Sequence, residues 1–168
     1  MNLNKYITFT ILISLLSGCY SFKGISIPPE AKTYYVDDFQ LRANNAPAQI
    51  DQIWSEALRE KVRNESRLTY DEQNPDIEFT GSIVEYSVVG TAPQEGNTVA
   101  LNKLTIGVKV TYFNNAGDGG DDDEWTQTFS FFVDFDATID LNSVEESFID
   151  EIFEQLTENV FNKAFTNW

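Results

Sequence analysis

The residues able to do chemistry are few. The chain of 168 residues holds one cysteine, Cys19 in "LLSGCYSF" (15–22), and no histidine. A lone thiol could be a nucleophile, a redox group, a buried core atom or a point of covalent attachment. One cysteine makes no disulfide framework, and without imidazole there is no Cys/His zinc site and no Ser-His-Asp or Cys-His catalytic group. Two acidic sets remain. Asp134 and Asp136 lie on one face of an expected strand, about 7 Å apart by strand rise, within the range of an inverting carboxylate pair. Nothing nearby would raise one pKa over the other, so no catalytic residue is assigned. "DGGDDDE" (118–124) has the composition of a calcium loop but not the ligand spacing of an EF-hand, and its adjacent glycines suit a hairpin turn with solvated aspartates. No metal ligand is assigned either. Lys103 and Lys109 share the polar face of a second expected strand. They are the one ordered basic pair that could meet a phosphate, although solvent-facing strand lysines look the same.

The flanks of Cys19 narrow its role. Lys5 gives a positive start, and Tyr6 to Leu16 ("YITFTILISLL") is apolar apart from threonine and serine. That run suits a signal-peptide core and falls short of the roughly 20 residues of a bilayer span. It ends in Leu16-Ser17-Gly18-Cys19, which resembles a bacterial lipobox, where the thiol is diacylated and the peptidase cuts just before it. Residues 1–18 are therefore expected to be a lipoprotein signal peptide. Residues 19–32, with Gly24 and Pro28-Pro29, form the acylated N-terminus and tether, and 33–168 a single domain. No cofactor is expected beyond the covalent lipid on Cys19, since two or three acyl chains anchor stably where one does not.

Charge excludes other partners. With 27 Asp and Glu against 11 Lys and Arg, the net charge is −16. Such a chain does not bind nucleic acid by neutralising phosphates, and attachment to an anionic membrane depends on lipid rather than a basic patch.

The elements follow from periodicity. "TYYVDDF" (33–39) reads as a short strand. Asn44, Asn45 and Pro47 punctuate a helix start, and Ile50, Ile53, Trp54, Ala57, Leu58 and Val62 then recur at helical spacing over 48–66. After Pro75 the period becomes two. Strands are expected over 76–90 (Ile77, Phe79 and Ile83 inward), 99–113 (Leu104, Ile106, Val108, Val110 and Tyr112 inward) and 124–136 (Trp125, Phe129, Phe131, Val133 and Phe135 inward). Ser143 and Glu146 fit a capping box for a last helix with a broad stripe from Phe148 to Ala164. The order β-α-β-β-β-α predicts an α+β two-layer sandwich: a four-stranded, mostly antiparallel sheet with two helices on one face.

A lipobox, a tether ending in prolines and this element order resemble LptE, the outer-membrane lipopolysaccharide-assembly lipoprotein family, in its Bacteroidetes-type form. "CYSFKGISIPPEAKTYYVDDF", "NKLTIGVKVTYFNN", "DFDATIDLNSVEE" and "FNKAFTNW" carry the likeness. The resemblance implies a non-enzymatic protein, lipid-anchored at the periplasmic face of the outer membrane. It implies a partner, the LptD-type β-barrel, which the protein plugs and helps assemble, supporting lipopolysaccharide insertion into the outer leaflet. Tyr20 stands where enteric inner-membrane lipoproteins carry aspartate, and no acidic export run follows Cys19. Direct contact with lipopolysaccharide would use Lys103 and Lys109, against the grain of an acidic chain. Two other readings stay open: a periplasmic lipid- or glycan-binding lipoprotein of an unrelated pathway, which needs an apolar cavity, and a secreted hydrolase, which needs an acid–base pair.

Cys19→Ala should change the protein from membrane-bound to soluble or uncleaved, with residues 33–168 still folded. An intact Met1 and a free Cys19 thiol in the mass spectrum of the native protein would end the lipoprotein expectation.

Overall fold

The computed structural model describes residues 26–91, 100–117 and 123–166. The expected signal peptide, Cys19 and residues 118–122 of the acidic turn lie outside them. In chain order the elements are β1 (Thr33–Val36), β2 (Gln40–Leu41), α1 (Ile50–Glu65), β3 (Thr69–Tyr70), β4 (Ile77–Thr91), β5 (Leu101–Asn114) and β6 (Glu124–Asp136). A 3-10 turn (Leu141–Ser143) and α2 (Glu145–Phe165) follow.

The three long strands form the expected antiparallel meander, with β5 between β4 and β6. The four-stranded, mostly antiparallel sheet does not hold as a whole. Six strands take part, in the order β3-β1-β4-β5-β6 with β2 also on β4. The β1–β3, β1–β4 and β2–β4 pairings are parallel. The physical reason is the connection: a helix between β1 and β4 returns the chain to the end it left, which makes the two strands parallel. β2 and β3, at two residues each, are too short to show a period in sequence.

Both helices pack on one face of this mixed sheet. Ile50, Trp54, Leu58 and Val62 of α1 are fully buried, whereas Ile53 points out and is exposed. Ile152, Phe153, Leu156, Val160 and Phe161 of α2 are buried with them. Edge-to-face rings join the helices to each other and to the sheet: Trp54 of α1 meets Phe153 of α2 at 5.2 Å, and Phe79 of β4 meets Phe165 of α2 at 6.1 Å. Such pairs contribute about 0.5–1.5 kcal/mol beyond their buried area. The expected capping box does not form. Ser143 sits in the 3-10 turn, its Oγ donating to the Asp140 carbonyl, and Val144 is the N-cap, with no side-chain cap bond.

The inward alternation holds through β5, where Leu104, Ile106, Val108 and Val110 are fully buried. In β6 it holds for Phe129 and Phe135, while Trp125, Phe131 and Val133 are only half-buried because, among the described residues, no strand lies beyond this edge. β4 needs a correction of its own. Strict alternation past Ile83 would turn Glu85 and Ser87 into the core. A register shift between Ile83 and Glu85 prevents that, placing Tyr86 opposite Ile106 and Val88 opposite Leu104. Gly81 is required nearby. A Cβ there would come within 2.0 Å of the Lys109 carbonyl oxygen and 2.7 Å of the Phe39 ring, and Phe39 is the ring that reaches Trp54.

The described part of the tether is docked. Arg67 donates to the Ala31 and Pro28 carbonyls, both at 2.7 Å, and Ala31 is fully buried. Asp76 then clamps β1 to β4: its carboxylate accepts from the Lys32 and Thr33 amides at 2.8 and 3.0 Å. The Lys32 amide foremost, and Thr33 with it, holds the Asp76 carboxyl below the usual range.

Ile106→Ala should cost roughly 2–5 kcal/mol in urea unfolding, and Lys109→Ala on the opposite face within about 0.5 kcal/mol. Equal costs would mean that both faces are covered. Asp76→Ala should cost about 1–2 kcal/mol near neutral pH. A carboxyl depressed in the folded state stabilises above its unfolded pKa, and that stability is lost as pH falls through the folded value. The mutant's deficit should therefore shrink in acid; an unchanged deficit would refute the clamp.

Candidate functional site

The sheet face that no described element covers is the candidate surface, and β5 positions its two lysines. Lys103 and Lys109 both project there, as the alternation requires, but six residues of strand separate them by about 20 Å. They cannot share one phosphate. Their surroundings differ as well. Lys103 lies opposite Asp134, with Nζ 3.8 Å from Oδ1. The same Nζ sits 3.6 Å from the centre of the Phe132 ring. Its charge is thus already met twice within the protein. Lys109 is exposed and makes no ion pair among the described residues.

Lys109 borders an open groove of about 340 Å³ that also takes Asp37, Asp38, Gln40, Arg42 and Thr111. β2 brings these together, because its parallel pairing sets Gln40 beside Ser82, whose own partner on β5 is Lys109. The groove is mixed in charge. Arg42 donates to Gln40 at 2.9 Å, and Asp38 pairs with Arg59 at 2.7 Å. Asp37 accepts from the Tyr35 hydroxyl. Burial, then the Asp37 carboxylate, pushes the Tyr35 phenol up to about 12. Such a groove can hold a polar group weakly, and it offers no concentrated positive field.

Of the acidic sets, Asp123, Asp134 and Asp136 have partners within the domain. Asp134 is spent on Lys103. Asp136 accepts from the Thr138 amide and hydroxyl at 2.8 and 2.7 Å, and these bonds hold its carboxyl below the usual range. A general acid needs the opposite shift. Of the 118–124 run, Asp123 and Glu124 are described, and Asp123 accepts from the Asn114 side chain at 2.6 Å. Among the described residues no three metal-ligating side chains converge. A second open groove, about 450 Å³, is lined by Phe131, Lys61 and the α2 residues Glu151, Glu154, Gln155 and Glu158. Lys61 joins the helices there, bonding Glu65 at 2.7 Å and also Glu158, whose carboxyl that bond holds down.

Sequence reasoning missed Phe132 and Val89, both large, apolar and exposed on the open face. The signal was present: in "FSFFVDF" the doublet Phe131-Phe132 cannot place both rings inward on a period-two strand. Arg42 was also missed, since a two-residue strand carries it to Lys109.

Solved structures with this architecture include a protein of Helicobacter pylori described as a homolog of neuraminyllactose-binding hemagglutinin. It has 8% identity and a TM-score of 0.52, with 86% of this chain and 89% of that chain covered. A minor lipoprotein of Acinetobacter baumannii has 13% identity and a TM-score of 0.47, covering 81% and 97%. A hypothetical protein of Chlamydia trachomatis has 9% and 0.47, covering 80% and 98%. At such identities the likeness is one of fold alone, and only the Helicobacter superposition bears on it. No curated protein matches the sequence. The profile of the LptE family, described as lipopolysaccharide-assembly, matches residues 31–164. That span runs from the docked end of the tether through nearly all of α2, and the chain belongs to the LptE family.

Proposed function

We propose that this protein is an outer-membrane lipoprotein, held at the periplasmic face by acyl chains on Cys19. In this reading it plugs an LptD-type β-barrel, helps that barrel assemble and so supports lipopolysaccharide insertion into the outer leaflet. Family membership over residues 31–164 carries the reading. The lipobox supports the anchor, and no helix among the described residues is long and apolar enough to cross a membrane. The Bacteroidetes-type assignment rests on the four sequence segments quoted above. The role is non-enzymatic.

A plug must keep its shape within a lumen, and a core closed by fully buried rings (Trp54, Phe79, Phe153, Phe161 and Phe165) suits that task. Lipid carriage would need an enclosed apolar cavity, whereas the two grooves described are open and lined mostly by charged or polar side chains. Glycan binding has no specific observation in its favour. For lipopolysaccharide, Lys109 is the better contact. Lys103 would first have to give up Asp134 and Phe132, so a phosphate gains little there.

Purification of the acylated protein from outer membranes should bring down an LptD-type barrel in one-to-one ratio. Depletion of this protein should lower the amount of folded barrel. A barrel that assembles and delivers lipopolysaccharide normally in its absence would overturn the proposal.

A further inference from the structure

The barrel reading leaves the edge of β6 unassigned. This strand ends the sheet, and its 13 residues pair with β5 without a register break. The amide of Ala137 bonds the Ala100 carbonyl, and the amide of Asn114 bonds the Asp123 carbonyl. Hydrogen-bonded and non-bonded pairs alternate along an antiparallel ladder. Both anchors therefore fix the same phase: odd residues of β6 bond β5, and even residues turn their N–H and C=O outward. At Thr126, Thr128, Ser130, Phe132 and Asp134 those outward groups meet no partner among the described residues.

Long edges of this kind are usually blunted by proline, lysine, a bulge or shortness. β3, at the other side, is two residues long. β6 is long and has no proline, lysine or bulge; its charged side chains are carboxylates, Glu124, Asp134 and Asp136, confined to its two ends. Beyond the bulge β4 also lacks a neighbour, but that run is shorter and contains Gly90.

We propose that the free edge of β6 accepts an extended segment of a different protein by strand addition, and that this segment alternates apolar with basic residues. The two faces of β6 set the alternation. On the core side, Trp125, Phe131 and Val133 are half-buried, leaving apolar rims that an incoming apolar side chain would cover. On the open side, Glu124 and Asp136 carry charge that no cation of this chain meets among the described residues, while Asp134 is shared with Lys103. β6 and the helix covering it, α2, together hold nine Asp and Glu and one lysine, Lys163. The nearby cations are one strand inward or spoken for: Lys103 is on Asp134, Lys163 lies over Trp125, and Lys109 stands opposite Thr128. A second copy fits poorly. Pairing β6 with itself about Ser130 sets Glu124 against Asp136, and like charges directly opposite destabilise a ladder.

The test uses the acylated full chain in neutral detergent and a short synthetic peptide alternating valine with lysine. At saturation, hydrogen exchange at Thr126, Thr128, Ser130, Phe132 and Asp134 should slow by about tenfold or more, and the effect should weaken at high salt. A valine–glutamate peptide, and the valine–lysine peptide N-methylated at alternate residues, should leave exchange unchanged. Ser130→Pro removes an outward N–H but no bond to β5, and should weaken peptide binding about tenfold. If that variant does not fold, the N-methylated peptide decides alone. The proposal is overturned by unchanged exchange on β6, by protection at residues 85–91 instead, by equal protection from the glutamate peptide, or by protection that grows with protein concentration without peptide.

Discussion

The alternation of β5 is the constraint from which the rest of the domain follows. Among the described strands it is the one hydrogen-bonded along its length on both sides, to β4 and to β6. Its residues from Leu104 to Tyr112 send every second side chain inward, and each of those is buried. The sheet thereby acquires one apolar face, and two amphipathic helices have one place to go. The same alternation puts Lys103, Thr105, Lys109 and Thr111 on the other face. A one-residue slip would exchange the two sets and destroy both layers.

The neighbours of β5 keep this arrangement by departing from ideal strands. β4 could not remain in phase over 15 residues with its own sequence, so it spends one residue, Val84, on a bulge. It also carries a glycine at position 81, where Phe39 must cross to reach Trp54. Ser55 completes that crossing: its Oγ accepts from the Phe39 amide at 3.0 Å and donates to the Asp51 carbonyl at 2.8 Å. At the far end, Tyr86, brought inward by the bulge, donates to Glu145 at the start of α2. Burial first, and that bond second, raises the phenol's pKa. A small shift in register thus decides where α2 is fastened, and a glycine decides it for α1.

What could be read in the sequence is what has a period. β4, β5, β6, α1 and α2 each repeat their pattern several times, and their residues and inward faces were legible to within a few positions. β2 and β3 have no room for a pattern, so the six-stranded sheet and its parallel side were not. The bulge was hidden because an extra residue looks like an ordinary one until its partner is known. For the candidate surface, the polar face and its two lysines followed from alternation alone. The occupation of Lys103 did not, because it depends on Asp134 and Phe132 arriving from β6 in the right register. Cys19 is read from its flanks alone, as it lies outside the described residues.

A sheet covered on one side only has three boundaries to manage: an open face and two edges. The open face here is kept wet by threonines and by the Lys103–Asp134 pair, with Thr111 and Thr126 bonded across the strands at 2.9 Å. One edge is short at β3 and passes, beyond the bulge, to residues 85–91 of β4. The remaining edge, β6, has apolar rims toward the helices, carboxylates toward the open face and outward backbone groups between them. Each feature alone is ordinary on a protein surface. Together on one strand they describe a complement, since the chain able to satisfy the backbone must also bring apolar groups to one side and positive charge to the other. The acidity that argues against a phosphate-binding role is, at this edge, what gives the surface its selectivity.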